Sequence, residues 1–180
     1  MNKHVINHLG EVEEIYFDNQ GSGLEVGLFK DQPQKSIITY STINMSNNIL
    51  ETRAGKFIRH ELIFSIYDVD QTEIIPQHII SFAESIIKSN KGLMRGEVVG
   101  PGIPFVPGSD KIGLYMTIPV FFEDSFFVDN DSVPPVVYVW MMPVTGEEID
   151  FIQKNGWGKF EDILEGKSDQ FWDIKRKPFC

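Results

Sequence analysis

Lys35-Ser-Ile-Ile-Thr-Tyr-Ser-Thr-Ile-Asn-Met-Ser46 is the stretch on which the fold turns. Ile37, Ile38, Tyr40, Thr42 and Ile43 are β-branched or aromatic and suit a pleated, buried surface. Strand alternation puts Tyr40, Thr42 and Asn44 on one face and Thr39, Ser41 and Ile43 on the other. Asn44 stands where the strand ends, and asparagine is among the few non-glycine residues that accept positive φ. Ser46, Asn47 and Asn48 then supply turn chemistry. The hydroxyls of this strand have no neighbouring base, and Gly-x-Ser-x-Gly is absent, so the residues themselves read as a core strand with a polar exit.

Working outward, Glu13–Asp18 and Leu24–Lys30 are expected to form a hairpin around the turn Asn19–Gly23. Asn2–Leu9 is expected as a short helix, with Val5, Ile6 and Leu9 inward. Downstream, Phe57–Tyr67 alternates. Ile58, His60, Leu62, Phe64 and Ile66 form its expected core face, and Arg59 and Glu61 read as an ion pair on the solvated face. Pro76–Asn90 carries a helical stripe of Ile79, Phe82, Ala83, Ile86 and Ile87, with Gly92 as the expected cap and His78 as a surface or capping histidine. Gly96–Ser109 is a Gly- and Pro-rich loop without P-loop spacing, and Lys111–Val120 is a strand. Val136–Val144 is almost wholly apolar, as for a strand covered on both faces. Thr145 and Glu148 have capping-box spacing for a helix that stops at Gly156, and Trp157–Leu164 reads as a second short helix whose apolar residues are Trp157, Phe160, Ile163 and Leu164.

Length fits one domain over residues 1–180. The single cysteine, Cys180, excludes an internal disulfide, and the polar N-terminus lacks a secretory apolar region, so a reducing cytoplasm is expected. No apolar run has membrane-spanning length. A net charge of −10 disfavours direct nucleic-acid binding and permits a basic protein partner. From Ile112 to Gln153 there is no Lys or Arg, whereas Glu123, Asp124, Asp129, Asp131, Glu147, Glu148 and Asp150 all fall there. Within Phe121–Pro135 these acids alternate with Phe121, Phe122, Phe126 and Phe127. Two readings stay open: aromatics tucked into the core beneath solvated acids, or an aromatic–acidic contact surface. EF-hand spacing is missing, and neither a paired histidine motif nor a cysteine pair offers a metal site, so no cofactor or metal is expected.

Thr39–Ser46 resembles a signature of the suppressor of fused (SUFU) domain family: Thr-Tyr, Ser or Val, Thr, an apolar residue, Gly, an apolar residue, Ser. Asn44 replaces the usual Gly. Arg59-His60-Glu61-Leu62-Ile63 resembles the family's following strand. Met141–Phe151 with Asn155-Gly156 resembles its Pro…Glu-Glu…Gly block, and Asp173–Pro178 its closing tail. Thr39, Tyr40, Thr42, Ser46, Glu61, Pro143, Glu147, Glu148 and Gly156 carry the likeness. It implies an α+β fold, with a mainly antiparallel sheet of about six strands on a few helices. In function it implies a binding module. Animal relatives sequester Gli-type transcription factors, and bacterial stand-alone relatives resemble immunity proteins or antitoxins of polymorphic or contact-dependent toxin systems. The expectation is therefore a bacterial, non-enzymatic protein that occludes a toxin, such as a basic nuclease. Glu123, Asp124, Phe126, Phe127, Asp129, Asp131 and Glu147 are the expected contact residues. An enzyme with a cleft assembled only in space, and a homo-oligomeric scaffold, are the contrasting classes.

Overall fold

The structure is a computed structural model describing residues 3–18, 21–100 and 102–180. The decisive stretch becomes strand β3 (Ile37–Thr42), all six residues of which are buried. It lies antiparallel between β2 (Glu25–Lys30) and β5 (Phe57–Tyr67). β1 (Glu14–Phe17) completes the expected hairpin with β2. Asn19 and Gln20 of its turn, and Asn2 of the expected first helix, lie outside the described residues; that helix, α1, spans Lys3–Leu9.

A two-residue strand β4 (Leu50–Glu51) precedes β5 and pairs with its start; beyond β5 come helix α2 (Ile74–Ser89), β6 (Val98–Val99), β7 (Lys111–Thr117), β8 (Val128–Asp129) and β9 (Val136–Thr145). Helices α3 (Gly146–Asn155) and α4 (Trp157–Leu164) close the chain's regular structure. The main sheet runs β1-β2-β3-β5-β9-β7-β6, with β4 attached to β5 and β8 to β9. Among the described residues this makes nine strands rather than six, three of them only two residues long. One pair, β5 with β9, is parallel. The α+β class stands, with a mixed sheet.

Both faces of the sheet are covered. On one, Tyr40, Leu62, Phe64, Leu114, Met116 and Met141 pack beneath Ile75, Ile79, Ile80, Ala83 and Ile86 of α2. On the other, Tyr115, Trp140, Met142 and Val144 pack against Ile152, Phe160, Leu164, Phe171 and Trp172. That layer continues through Phe29, Ile43, Ile63 and Tyr138 to Val5 and Leu9 of α1. Each buried aliphatic side chain of this kind stabilises the fold by roughly 1.5–3 kcal/mol. Double coverage explains why β9 is apolar without alternation. It also overturns the expected solvated face of β5, since Glu61, Ile63 and Ser65 are as buried as Leu62 and Phe64.

Two local expectations differ in their endings. The left-handed cap of α2 is Asn90 (φ 54°), whose N–H reaches Ile87 O at 3.0 Å, whereas Gly92 lies beyond it, bonded to Glu51 O. β7 ends at Thr117, because Pro119 cannot donate to a ladder. No helix among the described residues is long and apolar enough to cross a membrane.

Candidate partner-binding surface

Most of the resemblance-carrying polar residues are inside. Glu61 is fully buried. Its carboxylate accepts from Thr42 Oγ1 (2.5 Å), Met45 N–H (3.2 Å) and Ser46 N–H (3.2 Å), and Thr42 Oγ1 accepts in turn from Leu62 N–H (2.8 Å). The turn after β3 is thus tied to β5. Burial pushes the Glu61 carboxyl above its ordinary range, and the three donors offset only part of that. The expected Arg59–Glu61 pair does not form. Arg59 Nη1 donates instead to Ser46 O at 2.7 Å, so both residues grip one turn. Thr39 Oγ1 is satisfied by Gln32 O and Ser65 Oγ, each at 2.7 Å.

Asn44 does not take the expected positive φ. Its φ is −147°, its Oδ1 accepts from Glu25 N–H (3.0 Å), and its Nδ2 donates to Gly23 O (2.8 Å). The departure from glycine is therefore a side-chain clasp on the start of β2.

A second clamp holds the other end. Thr145 and Glu148 form the full capping box. Glu148, fully buried, also pairs with Arg176: Nη1 to Oε1 at 2.6 Å and Nη2 to Oε2 at 3.1 Å. Arg176 Nη2 donates to Pro143 O at 2.9 Å, and Lys111 Nζ to Arg176 O at 2.7 Å. A strand residue's N–H and C=O point to the same side, so proline at 143 leaves no orphan N–H facing the guanidinium. Gly156 joins α3 to α4 at φ 88°, a conformation side chains resist.

The acidic segment resolves in part. Phe121 stands edge-on to Trp140 (4.8 Å) and Trp172 (4.5 Å), and Phe122 packs on Phe126 (4.9 Å). Phe126 is completely buried, stacked on His4 with its carbonyl 3.2 Å from His4 Nε2, so it cannot touch a partner in this conformation. Phe127 is half-buried. Glu123, Asp124 and Asp131 are exposed, while Asp129 is half-buried and accepts from Asp131 N–H at 2.9 Å. Glu147 is exposed, but it follows the far end of β9 from Asp129, a separation of about 33 Å along a ten-residue strand. The expected contact residues therefore fall at two ends of the molecule.

Beside the acidic segment lies a cleft of about 530 Å³ lined by Val120, Trp140, Trp157, Leu164 and Phe171, with Arg95, Glu161, Asp162 and Glu165 among its polar residues. Glu161 receives Arg95 through Nε (3.0 Å) and Nη2 (2.5 Å), and also Tyr115 and Thr117 hydroxyls, each at 2.9 Å. Burial works to raise its pKa, but these donors hold the carboxyl below its usual range. Trp157, one of the apolar residues of α4, is 44% exposed. One side of its ring rests on Gly96, where an added Cβ would lie 2.4 Å away. Sequence reasoning missed this site because Arg95, Val120 and Asp162 are far apart in the chain; an indole at the first position of α4 was its one local sign.

His4 and His8 lie together on α1 with ring centroids 4.4 Å apart, and the other two histidines stand separately. His60 is buried between Val137 O (3.2 Å) and Leu93 N–H (3.0 Å), and burial lowers its pKa. His78 does not cap α2 but reaches Phe105 O at 2.6 Å. Among the described residues, no group of three His, Cys, Asp or Glu is placed to hold a metal ion.

The molecule is thus a single sheet with helices on both faces, whose distinctive polar residues lock chain segments together and whose unassigned features lie on its surface. The chain belongs to the Suppressor of fused protein (SUFU) family, whose model matches residues 20–177. It is 25% identical over 169 residues to "Immunity protein YqcF" of Bacillus subtilis (strain 168), covering 93% of this chain and 87% of that one. Its fold matches the crystal structure of a putative SUFU homolog from Neisseria gonorrhoeae FA 1090 (TM-score 0.77, 14% identity, 99% of this chain and 93% of that one). It also matches a chain in the crystal structure of the Sufu–Fu complex (TM-score 0.70, 12% identity, 98% and 89%).

Proposed function

We propose that this protein is an immunity protein: a cytoplasmic, bacterial, non-enzymatic antitoxin that neutralises a toxin of a polymorphic or contact-dependent system by stoichiometric binding. The observation that carries the reading is the near full-length match to an immunity protein, 93% of this chain against 87% of that one. The burial of Glu61, Glu148 and His60 in structural hydrogen bonds supports it, because these groups hold the domain rigid. A rigid domain loses little entropy on docking.

The toxin is a basic protein, such as a nuclease, approached from the end of the molecule bearing Glu123, Asp124, Asp129 and Asp131. Net charge of −10 steers such an encounter. The test is co-expression with the toxin encoded beside its gene. Survival with the intact protein, and death without it, is the expected result. Death in both cases removes the immunity reading.

A further inference from the structure

We propose that the cleft between α4 and Val120 receives an arginine side chain of the toxin; this deepens the immunity reading and rests on it. Three features meet there. First, the cleft is concave and of ligand size, with an apolar floor of Trp140, Leu164 and Phe171. Second, its own cation is already engaged. Arg95 is held by Glu161 in a two-point contact, and Asp162 and Glu165 stand exposed on the same wall with no ion pair among the described residues. On α4, Trp157 and Glu161 are spaced by four and share a stripe that Lys159 falls off, and Glu165 follows just past the helix end.

Third, Trp157 is 44% exposed and held against Gly96, so a flat aromatic surface is offered with its orientation fixed. Arg95 already lies 5.4 Å from the ring centroid, and the same indole chemistry suits an incoming guanidinium. Arginine answers all of these. Its stem covers apolar floor, its plane stacks on indole, and its fork meets carboxylates in pairs. The site is continuous with the acidic segment, since Val120 on its rim is followed by Phe121, Phe122, Glu123 and Asp124. A basic loop seated in the cleft therefore also meets that segment.

The test titrates N-acetyl-arginine amide into the full-length protein and follows the indole N–H resonances, with Trp157 assigned by Trp157→Phe. The expected result is a saturable shift of the Trp157 signal, absent with the neutral isostere N-acetyl-citrulline amide and about tenfold weaker in the surface variant Asp162→Asn/Glu165→Gln. No shift, or an equal shift with citrulline, overturns the proposal. So does concentration-dependent dimer mass with broadening of the Trp157 signal, which would make a second copy the occupant. In the co-expression assay, the same double variant is expected to lose protection. Full protection by it would remove the cleft from the interface and leave immunity standing. Absence of protection by the unaltered protein would remove immunity, while the arginine titration still judges the cleft.

Discussion

Arg176 and Glu148 form a two-point buried pair, 2.6 and 3.1 Å, that fastens the end of the chain to the first turn of α3. The guanidinium also lies 3.8 Å from the Phe179 ring centroid, and Phe179 N–H donates to Glu148 Oε1 at 3.0 Å. Two sequence blocks separated by most of two helices are thereby one structural unit. Removing one partner leaves a buried charge alone. Arg176→Ala or Glu148→Gln is expected to cost about 3–5 kcal/mol in urea unfolding. Arg176→Met with Glu148→Leu is expected to lose less than either single change.

Asn44 fastens the other signature turn through Gly23 and Glu25. Its φ of −147° lies outside the left-handed region, so restoring the family's glycine brings no relief of strain. Asn44→Gly is expected to lower stability by about 1–2 kcal/mol from the lost hydrogen bonds and added chain entropy. Unfolding midpoints of the two proteins check this.

Stability depends on pH through two buried groups of opposite sign. The His60 pKa is lowered by burial, so its contribution is full above the unfolded value of about 6.5 and is lost as pH falls toward the folded value. Glu61 is raised by burial, so its contribution is full below the unfolded value and declines as pH rises through the folded one. The stability difference between the native protein and His60→Gln should therefore increase up to about pH 6.5 and then flatten. The corresponding difference for Glu61→Gln should decrease as pH rises. Chemical denaturation over a pH series reads both curves.

Charge removal separates the two ends of the molecule. Glu123→Gln, Asp124→Asn and Asp131→Asn together are expected to change stability by less than about 0.5 kcal/mol, because all three residues are exposed. They are expected to slow toxin association and to flatten its salt dependence. Glu147→Gln, at the far end of β9, is expected to leave the association rate unchanged. Stopped-flow association at two ionic strengths distinguishes these outcomes.

The elements with strong local signals were legible in the sequence. β3, the hairpin β1–β2, α2, the Thr145–Glu148 capping box and the break at Gly156 all follow from periodicity, turn chemistry and cap spacing. What was not legible depended on long-range packing. Glu61 reads as a surface acid until the end of β3 and the turn after it, nineteen to fifteen residues away, fold their donors onto it. The parallel β5–β9 pair joins strands with α2, β6, β7 and β8 between them. Phe126 and Glu123 look alike as members of one mixed segment, and packing against Phe122, Tyr138 and α1 decides that Phe126 is inside. The cleft at Trp157 has the same character, since its lining comes from four separate parts of the chain, around Arg95, Val120, Trp140 and Trp157–Phe171.

The central claim is stoichiometric occlusion, and a titration of toxin activity tests it most directly. Increasing amounts of this protein are added to a fixed toxin concentration far above the dissociation constant, and residual activity is recorded together with complex mass by light scattering. The account predicts a linear fall to zero at one equivalent and a mass equal to the sum of one copy of each. Loss of toxin activity at a small fraction of an equivalent, continuing with time, would show turnover and contradict it.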